Sequence, residues 1–392
     1  MNIHLYPSVL KNETRIHKIV CSLRSHAEFQ EISVVGRSGQ GLPAHEDLGN
    51  GVHLYRLASV FGEGFNNAFG KVLRTLGWYL AVLWWMRCRT VDCLNCHSLP
   101  VLPLSVLLKM WKRCKLVYDT HELETETHAG KGLRKNLAKW VERVFIRQVD
   151  SVCVVNRSIA AWYQESYGLP HVWVVHNLPH RMTSAPQRTG LLRSAIGLRS
   201  PQTLLFIYQG LLSPGRGIEM LLDAFAGIRG DRHLVCMGYG PLEESVRKAG
   251  QLHANIHFMS AVAPDLVKEY TVDADVGLAL IENTCLSYYL CAPNKLYEYA
   301  ACGVAAVVSD FPEMSRFVDS YDCGWKVKPE VGAFRRLVES IDAESLKTKR
   351  FNAALAGKEY CWENEERELL SMYEVLGFNT CNARPSCLMD ER

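Results

Sequence analysis

The stretch from Ala292 through Pro293, Asn294, Lys295, Leu296, Tyr297, Glu298 and Tyr299 to Gly303, followed by Val304–Asp310, constrains the fold more than any other. Pro293 and Asn294 are helix-start residues and Gly303 is a stop. The run after Gly303 is short, apolar and rich in valine, which suits a parallel strand covered on both faces. A helix feeding such a strand belongs to an α/β sheet. Free backbone N–H groups at the helix start favour an anion such as phosphate, and Lys295 adds positive charge there. Glu298 lies one turn on, roughly 6 Å along the axis from Asn294 at about 1.5 Å per residue. That is the order of the offset between a pyrophosphate and the hydroxyls of its ribose. From the spacing alone, a helix–strand pair with a surface Lys and Glu reads as well.

The rest of the chain repeats the strand–helix–strand pattern of a parallel α/β unit. Met1–Tyr6 reads as a first strand, followed by a polar loop and a helix carrying Arg15 near its start. Ile32–Gly36 and Val52–Tyr55 read as strands. Asp92–His97 is a strand ending at a histidine, Leu99–Lys112 a helix, and Lys115–Glu122 a strand ending in Asp119, Thr120, His121 and Glu122. In open parallel sheets ligands sit at the carboxyl ends of strands, which is where His97 and His121 fall. These groups also suit plain strand ends, satisfying backbone. Leu137, Val141, Val144 and Phe145 are spaced as the apolar face of a helix over 133–148, and Val152–Val155 and Val172–Asn177 as further strands. Pro179–Ser200 reads as a linker. Beyond it, Leu204–Gly210 is a strand, Leu211–Ile218 a glycine-rich turn containing Arg216 and Gly217, and Glu219–Ile228 a helix. A strand over 233–237 is closed by Gly238, Tyr239, Gly240 and Pro241.

Taken in order, these segments resemble family 4 of the retaining glycosyltransferases, in the branch with a P-N-K-L-x-E-Y donor segment. The resemblance rests on Arg15, His97, the Asp119–Glu122 segment, Asn177, the Gly210–Gly217 turn, Gly238–Pro241, Pro293–Glu298 and a last helix containing Trp362. It implies a GT-B fold: two Rossmann-like α/β domains facing a cleft, with the C-terminal helix crossing back to the first domain. The expected limits are 1–180 for the acceptor domain, 181–360 for the nucleotide-sugar domain, 361–378 for the returning helix and 379–392 for a loosely ordered tail. It implies His97, Asp119, His121 and Glu122 lining the acceptor pocket as the catalytic set. It assigns donor binding to Gly210, Arg216, Gly238, Asn294, Lys295, Leu296 and Glu298. Arg15 then neutralises a phosphate or acceptor group, or is a solvated helix cation. Two departures stand out. Leu211 replaces the first cation of the family's donor turn, so Lys295 is expected to supply it. Leu290 replaces a carboxylate that in relatives contacts the transferred sugar, and Ser287–Tyr289 is the expected substitute.

The resemblance thus implies a sugar transfer from a nucleotide-sugar, UDP-linked by preference, to an acceptor hydroxyl. It also implies retention of configuration and independence of metal. The nucleotide-sugar is a substrate, so no cofactor is expected. A lipid-linked or small-molecule glycan acceptor in bacterial surface polysaccharide or other glycoconjugate assembly fits best. The alternatives are natural-product glycosylation and a non-catalytic partner subunit, the latter favoured by Leu211 and Leu290. A dehydrogenase is disfavoured, because no G-x-G-x-x-G follows the first strand.

Length and composition agree. A chain of 392 residues with 48% hydrophobic and 22% charged residues is globular and long enough for two domains. Its net charge of +3 gives no general affinity for nucleic acid. Fourteen scattered cysteines, with no secretory signal, suit a reducing cytoplasm. Cys93 and Cys96 make a C-x-x-C pair without a second pair at zinc spacing. The uncharged run at 75–86, with Trp78, Trp84 and Trp85, is shorter than the ~20 residues of a membrane span. It reads as a core helix, or as an aromatic helix resting on the inner face of a membrane beside Arg74, Arg87, Arg89 and Lys112.

Overall fold

The computed structural model describes residues 1–11, 13–62, 68–127, 132–182, 184, 187–200, 202–228 and 230–380. The tail expected at 379–392, with Cys381, Pro385 and Cys387, lies almost wholly outside them. The chain divides into two compact units, the first comprising Met1–His176 and the segment from Glu366, the second Asn177–Glu365.

In the first unit the order is β1 (Asn2–Leu5), α1 (Thr14–His26), β2 (Ile32–Arg37), β3 (His45–Asp47), β4 (Val52–Leu57), α2 (Ala68–Met86), β5 (Cys93–Cys96), α3 (Leu102–Lys112), β6 (Lys115–Thr120), α4 (Leu133–Phe145), β7 (Ser151–Val154), α5 (Arg157–Tyr167) and β8 (Trp173–Val174). The sheet order is β3-β4-β2-β1-β5-β6-β7-β8, parallel except for the short edge strand β3. β1, β5 and β7 are buried at every position, as expected of strands with helices on both faces. Strand order reverses at β1, so the crevice beyond its carboxyl end, between β1 and β5, is the place for chemistry.

The second unit runs α6 (Leu191–Ala195), β9 (Leu204–Leu211), α7 (Ile218–Ala226), β10 (Arg232–Tyr239), α8 (Glu243–Leu252), β11 (Ile256–Ser260), α9 (Val267–Thr271), β12 (Val276–Ala279), α10 (Leu286–Tyr289), α11 (Asn294–Ala301), β13 (Ala305–Ser309), α12 (Pro312–Tyr321), β14 (Gly324–Val327), α13 (Val331–Ser340) and α14 (Ala343–Glu359). Its sheet is all parallel, in the order β11-β10-β9-β12-β13-β14. Part of the expected linker is built into this unit. Asp273 accepts the N–H groups of Thr189, Gly190 and Leu192 at 2.7, 2.8 and 2.9 Å, and Arg193 donates to Asp275 at 2.9 Å. Satisfying those two buried carboxylates holds the approach to α6 against the amino-terminal end of the sheet, just before β12.

The last helix, α15 (Trp362–Val375), enters the first unit at Glu366. Leu369, Met372 and Tyr373 on it are buried, and the Tyr373 hydroxyl donates to Asn95 Oδ1 on β5 at 2.6 Å.

The switch point of the second sheet has an unusual fastening. β9 and β12 pair only at Phe206↔Val276 and Ile207↔Gly277, then part. The fully buried Tyr299 of α11 fills the gap. Its hydroxyl accepts from Gln209 N–H at 3.3 Å and faces the carbonyls of Ile207 and Leu278 at 3.1 and 3.3 Å. Gly277 makes room, since a Cβ there meets the Tyr299 ring at 2.3 Å. Replacing Tyr299 by Phe leaves buried backbone groups without their partner, which costs about 1–3 kcal/mol. Denaturant titration should show a lowered midpoint with an unchanged slope.

Candidate functional site

The segment from Ala292 to Gly303 folds as the helix its sequence suggests. α11 begins at Asn294, with Pro293 at φ −70° as its N-cap, and no side chain caps the first turn. The Leu296 N–H bonds Pro293 O at 2.9 Å. Leu296 itself is fully buried in the core between sheet and helices. Its apolar side chain is core packing.

Lys295 is nearly all buried, yet its Nζ has no hydrogen-bond partner. It stands 3.3 Å from the centroid of the Tyr208 ring, a cation–π contact. Burial, and then the nearby positive charge of Arg216, hold its pKa well below the usual lysine value, with Glu298 opposing. Arg216 Nε is likewise buried without a partner. The glycine turn carries these groups. Gly210, Gly215 and Gly217 have φ of 111°, 80° and 73°, open to glycine. A Cβ on Gly210 comes 4.0 Å from Lys295 Nζ, and one on Gly215 comes 3.0 Å from the Tyr288 ring. Gly238 lets the Gly210 carbonyl pass where a Cβ has only 1.9 Å. Glu298 Oε2 accepts from Gln209 Nε2 at 2.6 Å, and Gln209 Oε1 accepts from the Thr271 hydroxyl at 2.7 Å. Gln209 thus fixes the carboxylate. Two partnerless buried cationic nitrogens and an oriented carboxylate meet at the β9/β12 switch point. In the Ser287–Tyr289 run, which forms α10, Ser287 is buried, Tyr288 lies beneath Gly215, and Tyr289 packs on Phe311.

The first unit gathers a second cluster. Asp119, at the end of β6, is buried and receives Arg15 through Nη2 at 2.6 Å and Nε at 3.0 and 3.2 Å. Arg15 Nη1 donates to Val175 O at 2.7 Å. Arg15 is neither a solvated helix cation nor an open phosphate ligand; its guanidinium is committed to Asp119 because both are buried and each needs the other. Burial pushes the Asp119 carboxyl up, but Arg15 and hydrogen bonds from His121 and His97 hold it well below the usual range.

His97 is buried, with both ring nitrogens engaged. Nδ1 lies 3.1 Å from Asp119 Oδ2 and 3.3 Å from His121 Nε2, and Nε2 lies 2.8 Å from His4 Nδ1. The carboxylate assigns the proton to His97 Nδ1, so Nε2 accepts from His4 Nδ1–H. His4 Nε2 in turn meets Asn95 Nδ2 at 3.5 Å, and Asn95 is held by Tyr373. Burial lowers the pKa of His97 and, more strongly, of His4, so both rings are neutral near pH 7. Of the expected set, His121 and Glu122 face outward while His97 and Asp119 lie beneath them. Tyr6 leans on His121 with ring centroids 5.3 Å apart. Half-buried Glu124 accepts from Leu99 N–H at 2.8 Å, and burial pushes its carboxyl up to about 8.

His97, Asp119 and His121 bring ligand atoms within 4.8 Å of one another, and the Asp119 carboxylate already has Arg15 as its counter-ion. His4, Tyr6, Tyr208, Gln209 and Glu124 are not among the residues expected from sequence. His4 and Gln209 sit inside strands that read as core, and their only signal is a polar residue within an apolar run.

Two stretches match family models, residues 18–178 "Glycosyltransferase Family 4" and residues 203–343 "Glycosyl transferases group 1". The curated chitobiosyldiphosphodolichol beta-mannosyltransferase of Kluyveromyces lactis is 21% identical over 76% of this chain and 74% of its own. Among solved structures, sucrose-phosphate synthase from Thermosynechococcus elongatus superposes with a TM-score of 0.78 at 14% identity, covering 96% of this chain and 98% of that one. Anabaena HepE in complex with UDP gives 0.70 at 14% identity, covering 95% and 99%. The two-unit architecture is that of GT-B glycosyltransferases.

Removing Arg15 leaves Asp119 buried without its partner. Arg15→Met should destabilise the protein by about 3–5 kcal/mol in denaturant unfolding, and adding Asp119→Leu should recover part of that loss.

Proposed function

We propose that this chain, whose two units both carry glycosyltransferase domains, transfers a sugar from a nucleotide-sugar bound by the second unit to an acceptor hydroxyl presented by the first, with retention of configuration. The observation that carries the reading is the pair of buried, partnerless cationic nitrogens, Lys295 Nζ and Arg216 Nε, beside the Gly210–Gly217 turn. A diphosphate supplies the oxygens both lack. Lys295 then stands in for the cation missing at Leu211, and the uncapped start of α11 at Asn294 adds N–H groups. Glu298, held through Oε2 by Gln209, accepts from the ribose hydroxyls.

When the bond from the anomeric carbon to the diphosphate breaks, its electron pair leaves with the diphosphate. Arg216 and Lys295 stabilise that growing charge. The acceptor oxygen bonds the anomeric carbon, and its proton passes to the departing phosphate. His121 and Glu122 meet the acceptor, while His97, Asp119 and Arg15 set the orientation of His121. The positive charge is provided by side chains, so chelators should leave the rate unchanged.

UDP is the preferred nucleotide, as in the HepE complexes with UDP and UDP-glucose. A lipid-linked acceptor in glycoconjugate assembly is supported by the name of the Kluyveromyces relative, which specifies a dolichol diphosphate. Leu211 and Leu290, at positions where the resembled family carries charge, favour a non-catalytic subunit as the second reading. Incubation with labelled UDP- and GDP-sugars separates the two: slow hydrolysis or transfer marks an enzyme, and absence of both marks a subunit. The anomer of the product, read by NMR, tests retention.

Lys295 gives the reading a pH signature. Its pKa is depressed in the free protein, and a bound diphosphate raises it. The complex therefore holds more protons than the free protein at pH values between the two pKa values, so binding takes up protons and weakens as pH rises through that window. Calorimetry of UDP binding in buffers of different ionisation enthalpy should show this uptake. Lys295→Met should abolish it and weaken UDP about ten- to a hundredfold, the loss of one charged hydrogen bond. Unchanged affinity in Lys295→Met would remove Lys295 from the donor site.

A further inference from the structure

The helices α2, α3 and α4 carry an apolar surface that faces outward. Each connects a strand to one further toward the β8 edge, β4 to β5, β5 to β6 and β6 to β7. Right-handed crossovers place all three on the same side of the sheet. They are neighbours there: Lys112 of α3 donates to the carbonyls of Arg87 and Arg89 just after α2, at 3.1 and 2.8 Å, and α3 packs on α4.

On α2 the exposed stripe is Phe69, Val72, Leu76, Leu80 and Trp84, while Trp78, Val82 and Met86 are buried beneath. On α3, Leu107, Met110 and Trp111 are exposed. α4 is turned inside out. Its spacing reads as a core-facing helix, yet Leu133 (88% exposed), Leu137, Trp140 (60%) and Val144 point outward, and its buried residue is Glu142. The Glu142 carboxylate accepts the hydroxyls of Tyr118, Tyr163 and Tyr167 at 2.8, 2.7 and 2.6 Å. That cage fixes which face of α4 turns inward.

Charge is equally one-sided. α2 and α3 contain no acidic residue, and the one on α4 is the caged Glu142. Lys71 and Arg74 lie on α2, and Arg134 and Arg143 on α4. Lys109 pairs with Asp150, and Lys135 and Lys139 with Glu126. Arg87 stacks 3.9 Å from the Trp84 ring, and Lys112 lies 4.4 Å from Trp111. Exposed tryptophans with cations against their faces suit the boundary between acyl chains and headgroups. No helix among the described residues is long and apolar enough to cross a membrane.

We propose that the α2–α3–α4 face docks on an anionic lipid surface, with the three helices lying in the headgroup plane. The proposal stands apart from the transferase reading, and its test needs no activity. The full chain is sedimented with vesicles of phosphatidylcholine alone, or mixed with phosphatidylglycerol. It should bind the anionic vesicles, bind the neutral ones far less, and release in high salt. Arg74→Gln and Arg143→Gln should each weaken partitioning about fivefold. Trp84→Ser with Trp140→Ser, and separately Leu137→Glu, should abolish it, with circular dichroism unchanged because these positions are exposed. The proposal is overturned by equal binding to neutral vesicles, by binding that survives the tryptophan variants, or by no binding. It is also overturned, in favour of a second copy of this chain on the face, by a dimer that the same variants dissociate without any vesicle binding.

Discussion

The second unit depends on a sheet that comes apart at one place. β9 and β12 share two paired positions and then diverge, and a tyrosine hydroxyl replaces the missing rungs. Splaying the strands opens space at the switch point, where helix starts converge. It also leaves backbone donors and acceptors that must be met. Tyr299 meets them from α11, so the residue that seals the sheet fixes the helix bearing Lys295 and Glu298. The small Gly277 is the other half of that device, because any side chain there displaces the ring. Structure and site therefore share one constraint.

The first unit answers the same problem with charge. Its first strand also ends at a switch point, and Asp119, His97 and His4 are buried there. A buried carboxylate is tolerable only when paired, which is why Arg15 is drawn in. From Asp119 the order of protons runs through His97 and His4 to Asn95, and Tyr373 of α15 closes it. The C-terminal helix thereby helps set the tautomer of histidines far from it in sequence. His121, at the open end of this chain of groups, is the partly exposed member.

The alternation of strands and helices is legible in the sequence, because buried parallel strands and capped helices are local patterns. So is the helix that starts at Asn294 and feeds β13, whose start residues, Lys295 and Glu298 lie within a single turn and a half. The features that escape a reading of the sequence depend on distant partners. Arg15 reads as an available cation until Asp119, 104 positions away, is seen to hold it. Leu296 lies between Lys295 and Glu298, yet its side chain is core. Gln209 looks like an interruption in an apolar strand, and only Glu298 and Thr271 give it a task. The helix period of α4 holds, but the period does not say which side is inside, and the tyrosine cage around Glu142 decides that.

A lysine with a depressed pKa is, on charge alone, a poor anchor for phosphate. Its burial makes it a selective one. In the free protein, keeping Lys295 charged beside Arg216 is costly, so the proton is weakly held. On the proposed donor reading, an arriving diphosphate raises the pKa of Lys295 again and contacts the buried ammonium directly. As the sugar departs, the diphosphate gains negative charge, and its attraction for a proton on Lys295 grows in step. An interaction that strengthens along the reaction lowers the barrier, whereas one equally strong at the start only tightens binding. An exposed lysine, fully charged from the outset and screened by water, lacks that difference. On the proposed donor reading, a cation at Lys295 on α11 in place of one at Leu211 keeps transition-state stabilisation while giving up part of the ground-state grip.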